Sequence, residues 1–60
     1  MLWYYFTITY YVEGEYKTQS TSYSVAAASR VIAWNRASAY ATALYGRCLC
    51  KVELHTVSTY

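Results

Sequence analysis

Side chains that carry most protein chemistry are few in this 60-residue chain, and their spacing keeps them apart. The acids are Glu13, Glu15 and Glu53, with no aspartate; the one imidazole is His55, and the thiols are Cys48 and Cys50. Glu13 and Glu15 flank Gly14, a turn position where carboxylates stay solvated, so they do not suggest a general acid and base held apart in pKa. His55 belongs to a segment that alternates apolar and polar residues. That alternation directs it away from Cys48 and Cys50, so neither a Cys–His dyad nor a Cys2His metal site is expected. Serine is plentiful, but no base and orienting acid accompany any one of them. The expectation is a protein that is not an enzyme, with no catalytic residues, no metal site and no cofactor.

The elements that position the remaining candidates can be read from period and punctuation. The stretch LWYYFTITYYV, residues 2–12, is rich in aromatic and β-branched residues and suits a strand. Its even positions, Leu2, Tyr4, Phe6, Ile8, Tyr10 and Val12, form the expected core face. Its odd positions carry Trp3, Tyr5 and Tyr11 to the other side. Gly14 marks a turn. A two-residue turn at Glu13 and Gly14 would set Gln19 and Lys17 on the core face, whereas a three-residue loop of Val12, Glu13 and Gly14 pairs Tyr10 with Tyr16, Ile8 with Thr18 and Phe6 with Ser20. The second arrangement places small residues inward and is the one expected, with a second strand over residues 16–21.

Residues 23–45 contain no proline or glycine, and alanine is their commonest residue, which predicts one long helix begun by Ser22 or Ser24 as N-cap. Helical spacing puts Val25, Ala28, Val31, Ile32, Ala39 and Ala43 on the face expected to meet the sheet, with Arg30 opposite. Gly46 is placed to end the helix at C′. The alternative is a helix that stops near residues 35–38, with residues 39–44 forming an extra strand. Residues 48–57 alternate again, with Cys48, Cys50, Val52 and Leu54 inward and Leu49, Lys51, Glu53 and His55 outward. The predicted fold is α+β: ββαβ, a three-stranded antiparallel sheet in order 2-1-3 with one helix on one face, residues 1–60 making a single domain.

Two surfaces follow from that fold. The uncovered sheet face would present Trp3, Tyr5, Tyr11, Lys17, Tyr23, Lys51 and His55. The outer side of the helix would present Trp34 and Tyr45 among small residues, with Arg30 at the rim. Aromatics on an open sheet next to lysines suit single-stranded nucleic acid, in which each stacked base is worth about 1–3 kcal/mol. Yet a net charge of +2 gives little electrostatic attraction to phosphates. A tryptophan among small residues suits a protein contact.

Length and composition set the frame. A chain of this size buries only about 60% of the surface its unfolded form exposes, so a partner chain would stabilise it, and a homodimer is expected. Hydrophobic content of 57% excludes a disordered polar chain. No apolar run approaches the roughly 18 residues of a membrane span, and no basic region precedes an apolar one at the N-terminus. Cys48 and Cys50 are spaced at the outer limit for a disulfide. Reduced thiols and a cytoplasmic location are therefore expected.

The run TQSTSYSVAAASRVIA, followed after a glycine by CLCKVEL, resembles a pattern in small phage-encoded ββαβ proteins, among them some anti-CRISPR inhibitors. The resemblance covers about forty residues. This chain departs from the pattern in its longer Ala–Tyr segment before Gly46 and its density of tyrosine. The resemblance implies a non-catalytic inhibitor that blocks a surface of a larger complex, in the host-cell cytoplasm if the chain is phage-encoded. Together the residues lead to the expectation of a small non-enzymatic binding protein that occupies a surface of a protein or nucleoprotein complex. A single-stranded nucleic-acid binder is the alternative, and a structural assembly subunit the third reading.

Overall fold

Alternation in the first strand decides which side of the sheet becomes the core. In the computed structural model, which describes residues 1–59, β1 spans Leu2–Tyr11, β2 Thr18–Ala27, α1 Arg30–Tyr45 and β3 Leu49–Ser58, with a 3-10 turn over Gly46–Cys48. The strands form one antiparallel sheet in the order β2-β1-β3, and the helix covers one face. This is the predicted α+β arrangement. Tyr4, Phe6 and Ile8 of β1 are buried beneath the helix, as their even positions require.

The hairpin differs from expectation. β1 and β2 pair without interruption from Leu2 opposite Ala27 to Tyr11 opposite Thr18, so Tyr10 faces Gln19, Ile8 faces Thr21 and Phe6 faces Tyr23. The loop is longer than the three residues expected. The Val12 amide donates to the Lys17 carbonyl at 3.0 Å, and the Glu15 amide donates to the Val12 carbonyl at 3.0 Å. Gly14, at φ +83°, occupies the third position of that inner turn, where a type II geometry demands a left-handed backbone. The longer loop changes which residues of β2 face the helix. Tyr23, Val25 and Ala27 now point inward and Ser20, Ser22 and Ser24 outward, a better apolar match than the small polar residues of the expected register. Tyr23 thus leaves the uncovered face on which the sequence had placed it.

The helix begins later than predicted, because the segment from Ser22 to Ala27 completes a strand that matches β1 in length. Alanine's preference for helix is outweighed there by ladder hydrogen bonds and by the inward packing of Val25 and Ala27. Ser29, rather than Ser22 or Ser24, is the N-cap: its backbone is extended, and its hydroxyl accepts from the Ile32 amide at 3.3 Å. Residues 39–44 are helical, so no extra strand forms. Gly46 ends the helix as expected, with φ +52° and its amide donating to the Thr42 carbonyl.

The face of the helix is also reversed. Ala33, Ala37 and Ala41, four residues apart, are fully buried, whereas Val31 and Ile32, expected inward, are exposed. Three alanines let the helix backbone approach the sheet closely, and three rings hold it there. Trp34 meets Phe6 edge-on at 5.1 Å between centroids, Tyr40 stacks on Tyr23 at 4.3 Å, and Tyr45 stacks on Tyr10 at 4.1 Å. Aromatic pairs of this kind contribute about 0.5–1.5 kcal/mol each beyond their burial. Trp34 and Tyr45 therefore clasp the sheet and do not form an outward stripe.

β3 carries two bulges. Its pairing with β1 skips His55, between Thr56 opposite Tyr5 and Leu54 opposite Phe6, and skips Cys50, between Lys51 opposite Thr9 and Leu49 opposite Tyr10. Each extra residue reverses the alternation beyond it. Val52 and Leu54 face the helix as expected. Leu49 does too, contrary to expectation, while Cys50 is exposed rather than inward and Cys48 is half-buried in the 3-10 turn.

Candidate functional site

The uncovered face is built from the odd residues of β1 and their cross-strand partners, since residues directly opposite in an antiparallel pair share a face. Along β1 it carries Trp3, Tyr5, Thr7, Thr9 and Tyr11. β2 contributes Ala26, Ser24, Ser22, Ser20 and Thr18, and β3 contributes Ser58, Thr56, Glu53 and Lys51. Trp3 and Tyr5 stand at one end and Tyr11 at the other, about 20 Å apart by strand rise from Tyr5 to Tyr11. Between them lies a floor of hydroxyls. Thr9 is only 9% exposed and shares a hydrogen bond with Ser20 at 3.3 Å.

Of the residues singled out from sequence, Trp3, Tyr5, Tyr11 and Lys51 do come together on this face. Trp3 is 39% and Tyr11 52% exposed. Lys17 is exposed in the hairpin loop, and His55 is exposed at its bulge. Tyr23, Trp34 and Tyr45 lie on the opposite side in the helix–sheet packing, and Arg30 is exposed at the first turn of α1. Ser20, Ser22, Ser24 and Thr56 were missed as components of the face. The signal for the serines was present: they alternate with Thr21, Tyr23 and Val25, a period of two that runs on past residue 21, where the sequence reading ended the second strand.

Electrostatics on this face are nearly neutral. The Lys51 ammonium lies 3.4 Å from the Glu53 carboxylate, and in the loop Lys17 lies 3.4 Å from Glu15. Both pairs are exposed and contribute little to stability, but each cancels a positive charge locally. The arginines are elsewhere: Arg30 and Arg36 on the helix, and Arg47 in the 3-10 turn. Arg36 donates to the Ala26 carbonyl at 3.3 Å, tying the helix to the end of β2. At the Tyr11 end, hydrogen bonding with Cys50 and the negative charge that thiol acquires on ionisation, with a smaller contribution from burial, hold the phenol above its ordinary pKa of 10.0.

Chemically, the face can stack, hydrogen-bond and exclude water. Among the described residues, no group of three or more His, Cys, Asp or Glu side chains converges to hold a metal ion, and no helix is long and apolar enough to cross a membrane. Compared with protein-family models, with curated proteins and with solved structures, the chain matches none of them.

Proposed function

We propose that this protein is a small binding protein, without catalytic activity, that occupies a surface of a larger protein or nucleoprotein partner through its uncovered sheet face. The observation that carries the reading is the placement of Trp3, Tyr5 and Tyr11 on the face of the sheet opposite the helix, over which, among the described residues, no other element packs. Rings at both ends provide the large, stiff contact area typical of interface anchors, and the hydroxyl floor between them adapts to a partner's polar groups. Blocking what the partner would otherwise bind is the mode of action such a platform supports. Its setting would be the cytoplasm, where free thiols such as Cys48 and Cys50 stay reduced.

Single-stranded nucleic acid is the second reading, favoured by the proximity of Lys51 to the ring-bearing face. The pairing of Lys51 with Glu53 and of Lys17 with Glu15 weighs against it, because phosphate binding depends on unpaired cations. One set of measurements separates the two. A partner captured by the wild type is identified and purified, and its affinity is measured for the wild type and for Trp3→Ala and Tyr5→Ala. The protein-binding reading expects at least a tenfold loss in each variant with the fold intact by circular dichroism. Unchanged affinity in both removes this face as the site. Tight binding of a labelled oligonucleotide, lost on raising salt and on Trp3→Ala, would replace the first reading with the second.

A further inference from the structure

The two edges of the sheet are treated very differently. β3, one edge, is interrupted by bulges at Cys50 and His55 and carries Lys51, Glu53 and His55, all devices that discourage another strand from pairing there. β2, the other edge, has none of them. Its ten residues, TQSTSYSVAA, contain no charge and no proline, and its ladder with β1 runs through all ten positions without a bulge. Ser20, Ser22 and Ser24 are small and exposed, and the guanidinium of Arg36 meets the strand at the Ala26 carbonyl, four residues from Ser22. In an antiparallel ladder about half of the residues in such a strand direct their amide and carbonyl groups away from the neighbour they already have.

From this asymmetry we propose that β2 is the seam of a two-fold homodimer, in which the β2 strands of two copies pair antiparallel to make one six-stranded sheet. The seam borders the face assigned to the partner above: it uses the backbone of Ser20, Ser22 and Ser24, not the rings of Trp3, Tyr5 and Tyr11. A second copy is the occupant that the strand itself specifies: an uncharged strand meets its own image with no like charges opposed. A two-fold axis perpendicular to the sheet at Ser22 sets Ser22 against Ser22 and Ser20 against Ser24 on the uncovered face. On the helix side it sets Tyr23 against Thr21, large against small. An axis at Tyr23 would instead oppose two tyrosines that each already stack on Tyr40. The chosen axis places both helices on one face and joins the two uncovered faces into a continuous platform. Association stops at two, because the edges left outside are the bulged, charged β3 strands. It also supplies the additional burial that a chain of 60 residues needs.

Sedimentation equilibrium of the wild type and of Ser22→Lys tests the seam. The wild type is expected to be a dimer. Ser22→Lys, which opposes two ammonium groups at the axis, is expected to be folded and to dissociate at least tenfold more readily, whereas Thr56→Lys on β3 leaves the dimer intact. A monomeric wild type at its highest soluble concentration, an open polymer, or an unweakened Ser22→Lys dimer overturns the proposal. Should Ser22→Lys fail to fold, amide exchange in the wild type decides. Protection of all β2 amides that is lost on dilution supports the seam, and rapid exchange of alternate β2 amides at every concentration overturns it.

Discussion

Trp34 stands edge-on to Phe6, ring centroids 5.1 Å apart and planes inclined by 73°. The largest side chain of the helix is thereby part of the core, and the helix cannot leave the sheet without breaking this contact. A chain of 60 residues has a total stability of about 3–9 kcal/mol at the usual value per residue. Truncating a buried phenylalanine or tryptophan to alanine costs about 3–5 kcal/mol. Phe6→Ala should therefore remove a large part of that stability. Trp34→Ala, at a half-buried position, should fall near the lower end of that cost. Val31→Ala, on the exposed side, should change stability by no more than about 0.5 kcal/mol. Urea titration followed by circular dichroism measures all three, and a Val31→Ala loss comparable with that of Trp34→Ala would contradict this assignment of the helix faces.

Ala33, Ala37 and Ala41 are completely buried, so their methyl groups set the distance between helix and sheet. Replacing the middle one by leucine pushes the helix outward and strains the rings on either side. Ala37→Leu should cost about 1–3 kcal/mol by overpacking, although leucine is a good helix former. The same substitution at Ala39, which is exposed, should be nearly neutral. Thermal melts of the two variants provide the comparison, and equal melting temperatures would show that the alanine stripe is not the contact.

How much of this was legible depended on where hydrophobicity had a clear period. β1 alternates cleanly enough to fix its two faces, and with them the position of Trp3, Tyr5 and Tyr11. The order of elements followed from that strand, the alanine-rich stretch and Gly46. The helix face was not legible. Apolar residues are spread almost evenly around α1, and the side that wins is the one whose small residues permit close approach, with Trp34, Tyr40 and Tyr45 able to meet rings on the strands. Such a choice is made by shape between elements and leaves no periodic trace. The second half of β2 was hidden for a related reason: Val25, Ala26 and Ala27 have the composition of a helix start, and only pairing with Leu2, Trp3 and Tyr4 holds them extended. Bulges at Cys50 and His55 have no sequence mark either, so alternation in β3 held only for the residues between them.

Ser22 and Ser24, the two serines expected at the helix start, and Ser29, the one found there, have separable roles. Ser29 supplies the oxygen that accepts from the Ile32 amide, whereas Ser22 and Ser24 point away from the core on β2. Ser29→Ala should lower stability by about 1 kcal/mol, the usual cost of losing an N-cap. Ser22→Ala and Ser24→Ala should each stay within about 0.5 kcal/mol. A chemical denaturation series at a single protein concentration ranks them, and a larger loss at Ser24 than at Ser29 would place the helix start back where the sequence alone suggested it.

Tyr45, stacked on Tyr10 with planes 11° apart, links the end of the helix to the end of β1 and makes stability depend on alkaline pH. Its pKa is raised above 10.0, first by burial and then by the negative charges that Tyr10 and Tyr40 would carry. A phenol whose pKa is higher in the folded than in the unfolded chain favours unfolding once the solution can ionise it. Its contribution is thus intact below the unfolded value of 10.0 and is lost as pH rises through the folded value. Tyr11 is raised as well, chiefly through Cys50, so the measurement belongs in a Cys50→Ala background, which removes both the hydrogen bond and the charge of that side chain. There, Tyr45→Phe should keep the stacked ring, remove the ionisation, and shift alkaline unfolding to higher pH. Circular dichroism and tyrosinate absorbance, followed together from neutral to strongly alkaline pH, report unfolding and ionisation separately. Coincident curves for Tyr45→Phe and its parent would mean that another tyrosine governs the alkaline transition.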